Sequence, residues 1–144
     1  MVRLFALRDC VNKPAVVTPW SMIHFSSGIA AHSVALLVVQ KYSDVSMLTC
    51  FAAWAGLHLL YEIKDVYYAY EAEKSKRTDI NSFANSMGDQ FFAMIGFISA
   101  LVVLKEKNTI TATLMMLVLS FAILRSPAFD TGARTGNDIW NERG

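Results

Sequence analysis

Pro19–Gln40 reads PWSMIHFSSGIAAHSVALLVVQ, twenty-two residues without an Asp, Glu, Lys or Arg. A helix that crosses a bilayer needs roughly 20 predominantly apolar residues, and this stretch supplies them. Its start is marked as well. Thr18 can cap a helix, and Pro19 then falls at the first helical position, where its missing N–H costs nothing.

Three further apolar stretches follow outward from this one. The second runs from Val45 to about Ile63 and continues in helical character through Tyr67, Tyr68 and Tyr70. The third runs from Ser82 to Leu104, with Asp79 or Asn81 as caps. The fourth, Ile110–Leu124, is short for a span; Thr109 extends it on one side and Arg125, by snorkelling, on the other. The expectation is therefore an all-α, multi-pass integral membrane bundle of four transmembrane helices at about 19–40, 45–63, 82–104 and 109–125. A re-entrant or interfacial fourth segment is the alternative, and it would move the C-terminus to the other side. Residues 1–125 form the membrane domain; residues 126–144, rich in Gly, Thr, Asp and Asn, read as a polar mobile tail.

Composition agrees. Hydrophobic residues make up 54% and the mean hydropathy is +0.36, more apolar surface than a soluble domain of this size can bury. The net charge of +1 and the absence of a recognition motif argue against nucleic acid as a partner. Arg3, Arg8 and Asp9 interrupt any secretory-signal core, so the N-terminus is expected to be retained. Lysine and arginine set the orientation. Ten of the thirteen (Arg3, Arg8, Lys13, Lys64, Lys74, Lys76, Arg77, Arg125, Arg134 and Arg143) fall on one side of the four spans, and Lys41, Lys105 and Lys107 fall on the other. Positive loops stay in the cytoplasm, which places both termini there. Cys10 and Cys50 then lie on opposite sides and do not pair.

Polar groups inside a membrane are costly and must face the bundle interior or a wet cavity. On the second helix Trp54, His58, Glu62 and Asp65 share one stripe; on the third, Asn81, Asn85 and Asp89 do, continued by Phe92, Gly96 and Ser99. The first helix presents His24, Ser27, Gly28, Ala31, His32 and Ala35, including a small-xxx-small spacing that lets helices approach closely; Ala52 with Gly56 and Gly96 with Ala100 repeat it. Under the four-span topology, His24, His58, Glu62, Asp65, Asn81, Asn85 and Asp89 all reach the cytoplasmic half, and these seven are the candidate pocket residues. Each also has a plainer reading. His32 and Asn85 can be interhelical hydrogen-bonders, the tyrosines interfacial anchors, and the Glu71–Asp79 charge run a solvated face.

Three uses suit such a pocket. His58, Glu62 and Asp89 can coordinate a divalent metal as cofactor, with the i, i+4 pair as a half-site. A carboxylate and a histidine can act as acid and base on a lipid headgroup or other amphiphile entering from the leaflet. Or the pocket binds a headgroup or relays protons and ions without catalysis. No catalytic residue is assigned.

His24-Phe25 followed by Ser27-Gly28, then Tyr61-Glu62 with Asp65, then Asn85-Ser86-Met87-Gly88-Asp89 ahead of Gly96 resembles the VanZ-like small membrane proteins over about residues 24–100. The resemblance implies several membrane helices, an early histidine, an acidic pair closing one helix and an acid-glycine pattern in the next, in an envelope or lipid-associated protein. The competing reading is a non-catalytic accessory or scaffold subunit of a larger membrane complex, in which the polar residues contact other membrane subunits as well as membrane lipids.

Overall fold

The computed structural model describes residues 2–6, 14–74, 82–104 and 106–124. Asn81, most of the Glu71–Asp79 charge run and the C-terminal tail lie outside the described residues, as does Cys10. Two short strands, β1 (Arg3–Phe5) and β2 (Ala15–Val17), precede four helices: α1 (Pro19–Lys41), α2 (Met47–Lys74), α3 (Phe83–Val103) and α4 (Glu106–Leu124). α1 and α3 are each long and apolar enough to cross a membrane; α4 contains a shorter apolar run, Thr111–Ala122.

The strands pair in parallel, Arg3 with Ala15 and Phe5 with Val17, and no sequence signal announced them. Their position has a physical cause. At Gly88 on α3, an added Cβ would fall on the Val16 carbonyl, so only glycine lets β2 lie against that helix. The Asn85 amide then donates to the Val16 carbonyl oxygen at 3.4 Å. β2 thus leads the chain into α1 at a fixed place beside the start of α3.

α1 begins at Pro19, and the Thr18 N–H donates to Ser21 Oγ at 3.2 Å. α3 is capped by Ser82, whose hydroxyl accepts from the Asn85 N–H at 3.2 Å, rather than by Asp79 or Asn81. The cap satisfies one donor that the first turn leaves orphaned. Ser82→Ala should therefore cost about 1 kcal/mol, visible as a lowered midpoint in thermal unfolding of the detergent-solubilised protein; an unchanged midpoint would mean the cap bond contributes nothing.

α1 and α3 form the central pair. A Cβ at Gly28 would strike the Ala93 carbonyl, and one at Gly96 would strike the Phe25 carbonyl. α2 packs chiefly on α3, with Phe51 tilted against Phe97 at 5.2 Å. The short 105–108 connection predicts α3 and α4 as close neighbours, yet the main partner of α4 is α1. Hydroxyl pairs hold it there: Ser33 with Thr113 at 2.6 Å and Ser120 with Ser26 at 2.8 Å. The Ala52–Gly56 spacing on α2 faces outward, with open space around Gly56.

Burial is inverted relative to a water-soluble domain. The interior holds Ser21, Ser26, His32, His58, Glu62, Asn85, Ser86, Asp89, Gln90 and Ser120, with small or aromatic residues such as Ala93 and Phe97 between them. The exterior holds Leu57, Leu60, Ile63, Val102, Val103, Met115, Val118 and Phe121.

Candidate functional site

The polar interior has a focus where α1, α2 and α3 meet. His58 and Glu62 stand one turn apart on α2, both buried. His24 enters from α1. Its Nδ1 is 2.9 Å from His58 Nε2 and 3.5 Å from Glu62 Oε1, and His58 Nε2 is 3.8 Å from the same oxygen. One donor atom from each of the three residues thus lies within 4.8 Å of the others. Neither oxygen of Glu62 has a well-aligned hydrogen bond among the described residues, and the buried Ser86 hydroxyl on α3 is its neighbouring donor.

α3 supplies the surround. Asp89 Oδ2 stands 3.5 Å from His24 Nε2, and Oδ1 accepts from Ser21 Oγ at 2.6 Å. Gln90 Oε1 is 2.7 Å from His58 Nδ1, and the Gln90 amide nitrogen donates to the Ala55 carbonyl at 3.2 Å. Each imidazole therefore offers one nitrogen to the centre and meets a fixed α3 residue with the other. The Trp54 ring closes the site on α2, edge-on to His58 at 5.3 Å.

No protein-family model, curated protein or solved structure matches the chain. The site's chemistry is therefore read from its own atoms.

Of the seven candidate pocket residues, the fold brings His24, His58, Glu62 and Asp89 together. Asp89 meets the outer nitrogen of His24, while His24 takes the place beside His58 and Glu62 at the centre. Asn85 points the other way, to the Val16 carbonyl and to Thr18 Oγ1 at 3.5 Å. Asp65 sits at the mouth and pairs with Lys64 at 2.9 Å; that hydrogen bond raises the Lys64 ammonium above its ordinary range. Asn81 lies outside the described residues.

Gln90 and Ser21 were not among the candidates. A signal for Gln90 existed: an amide next to Asp89 in an otherwise apolar helix. It sits about 100° around from Asp89, and a search along one stripe passes over it. α3 lies between α1 and α2, so adjacent residues serve the two neighbours, Asp89 reaching α1 and Gln90 reaching α2.

The site is least covered on the His24 side. The His24 side chain is 14% exposed, against 4% for Glu62 and 5% for His58. The exposed Tyr61 ring is 6.3 Å from both imidazoles and carries the Lys64 ammonium 3.9 Å above its face. His32, farther along α1, packs edge-on to Phe97 at 5.3 Å and belongs to the core between α1 and α3.

Proposed function

We propose that this chain is a four-span membrane protein with both termini in the cytoplasm, and that α1, α2 and α3 build a cation-binding pocket in the cytoplasmic half of the bilayer. The carrying observation is Glu62. A carboxylate buried to 3% exposure, with no well-aligned hydrogen bond to either oxygen among the described residues and the buried Ser86 hydroxyl as a neighbouring donor, takes up a proton or a counter-charge, and two imidazoles stand beside it with no permanent positive charge. The cation is either a metal ion or the ammonium of a lipid headgroup arriving past Tyr61 and His24.

The inverted burial supports the membrane part. An exterior of Leu, Ile, Val, Met and Phe around serines, histidines and carboxylates suits lipid as solvent, where apolar surface is free of penalty and polar groups turn inward. The charge asymmetry of the loops supports the orientation, and the VanZ-like resemblance is of a piece with it.

The topology is tested by single cysteines, in a background lacking Cys10 and Cys50, labelled from either side of the membrane. Ser43→Cys and Lys107→Cys should react from the non-cytoplasmic side and Lys76→Cys from the cytoplasmic side. Labelling of position 107 from the same side as position 76 would mean α4 does not span. Cation binding is tested on protein purified alone: a chelator wash or amine-lipid depletion should lower its thermal midpoint, and Glu62→Gln should remove that response. Protein that is polydisperse alone and indifferent to cations would favour an accessory subunit instead.

A further inference from the structure

Hydrogen-bond direction fixes the hydrogen on one of the two rings. The Ala55 carbonyl can only accept, so the Gln90 amide nitrogen faces it and the Gln90 oxygen faces His58. That oxygen can only accept as well, so His58 Nδ1 carries the hydrogen and Nε2 holds a lone pair toward His24. His24 has two tautomers: with its hydrogen on Nδ1 it donates to His58 Nε2 at 2.9 Å. With its hydrogen on Nε2, 3.5 Å from Asp89 Oδ2, two lone-pair nitrogens meet at the centre with the Glu62 carboxylate beside them. In that second tautomer no hydrogen lies between them. A cation fits there.

Charge and distance say which. Asp89 and Glu62 are two buried carboxylates, and Lys64 is committed to Asp65 at the mouth. A single proton or ammonium in the centre leaves the cluster with an excess negative charge, whereas a divalent ion neutralises it. The three edges of 2.9, 3.5 and 3.8 Å define a circle of radius about 2.0 Å, close to Zn–N and Zn–O bond lengths. The edges average about 3.4 Å, as in a tetrahedron with bonds of about 2.1 Å. Neighbouring ligands of an octahedral ion at that bond length would stand about 3.0 Å apart.

We propose that His24 Nδ1, His58 Nε2 and Glu62 Oε1 are the protein ligands of one tetrahedral Zn²⁺-class ion, with a fourth position open toward Tyr61. Asp89 and Gln90 are positioning residues that fix the two rings by accepting their outer N–H groups, the role such partners play around metal-bound histidines. Ser21, hydrogen-bonded to Asp89 and to the Thr18 N–H, and the Ala55 carbonyl anchor them in turn. The inference rests on the cation reading above and names its ligand.

The test is titration of chelator-stripped protein in mild detergent with Zn²⁺, Co²⁺, Mg²⁺ and Ca²⁺ salts, and separately with amine-headgroup lipid. One Zn²⁺ per chain is expected, and Co²⁺ should give the intense visible absorption of a tetrahedral N/O site, an observation that needs no variant. Glu62→Gln should weaken Zn²⁺ binding more than 100-fold. Asp89→Asn and Gln90→Leu should weaken it about 10–100-fold and shift the Co²⁺ spectrum, which a merely structural role would leave alone. Stabilisation by Mg²⁺, Ca²⁺ or amine lipid without Zn²⁺ or Co²⁺ uptake would overturn this assignment and leave the cation pocket standing. No response to any of them would overturn both.

Discussion

Gly96→Val is expected to separate α1 from α3, lowering stability by about 3 kcal/mol and abolishing every cation response of the site. The cause is backbone contact. An added Cβ at Gly96 would land on the carbonyl oxygen of Phe25, which is part of a helix and cannot swing aside as a flexible side chain can. Gly28 makes the reciprocal approach to the Ala93 carbonyl and the Phe97 amide nitrogen, so Gly28→Val should behave in the same way. In a bilayer this closeness is a large share of what holds helices together, because lipid tails remove the hydrophobic drive for their association. The loss of function follows from position: Phe25 is adjacent to His24, so pushing α1 from α3 moves His24 from Asp89. Gly56→Val is the control, since nothing lies within 4 Å of its added Cβ. Thermal unfolding and Zn²⁺ titration of the three variants check this. Equal behaviour of Gly96→Val and Gly56→Val would show that the glycine contacts do not hold the pair.

The same glycines mark how far the sequence could be read. Apolar stretches and the Thr18–Pro19 start located the helices, because a long apolar run and a proline at the first turn depend only on local chemistry, whereas the cap of α3 proved to be Ser82 rather than Asp79 or Asn81. α1 does start at Pro19, and α2 does run on through Tyr70. Small-residue spacing is a weaker signal: it occurs at Gly96 with Ala100, which packs, and at Ala52 with Gly56, which does not, and nothing local separates the two. Which helix α4 rests on depends on hydroxyl pairs such as Ser33 with Thr113, contacts eighty residues apart in sequence. β1 and β2 are three residues each, too short for alternation to show, and β2 owes its place to Gly88 on another element. At the site, periodicity put His58 and Glu62 on one face and Asp89 among the inward residues. It could not say which nitrogen of which histidine faces the centre. For His58 that is decided by Gln90, through hydrogen-bond direction rather than spacing.

Glu62→Met should leave the metal-free protein as stable as the wild type or more stable, while removing Zn²⁺ binding altogether. Glu62 receives no well-aligned hydrogen bond among the described residues, its neighbouring donor being the Ser86 hydroxyl, so deleting its carboxylate strands at most that one poorly aligned donor. It also removes the excess negative charge that the cluster carries when only a proton lies between the histidines. Exchanging buried charge for an apolar side chain of similar volume is often neutral or stabilising by about 1–4 kcal/mol. Asp89→Ala should do the reverse. Asp89 accepts from Ser21 and stands 3.5 Å from the outer nitrogen of His24, so its loss strands a buried hydroxyl and uncovers that ring, a destabilisation of about 1–3 kcal/mol with or without metal. Two acids in one pocket thus carry opposite signs in a metal-free unfolding experiment. A protein keeps a buried carboxylate that lowers its own stability when something outside the chain supplies the missing charge, and with saturating Zn²⁺ the order of wild type and Glu62→Met should invert. If Glu62→Met instead unfolds as readily as Asp89→Ala without metal, Glu62 is held by the fold itself and the argument for a bound cation loses its basis.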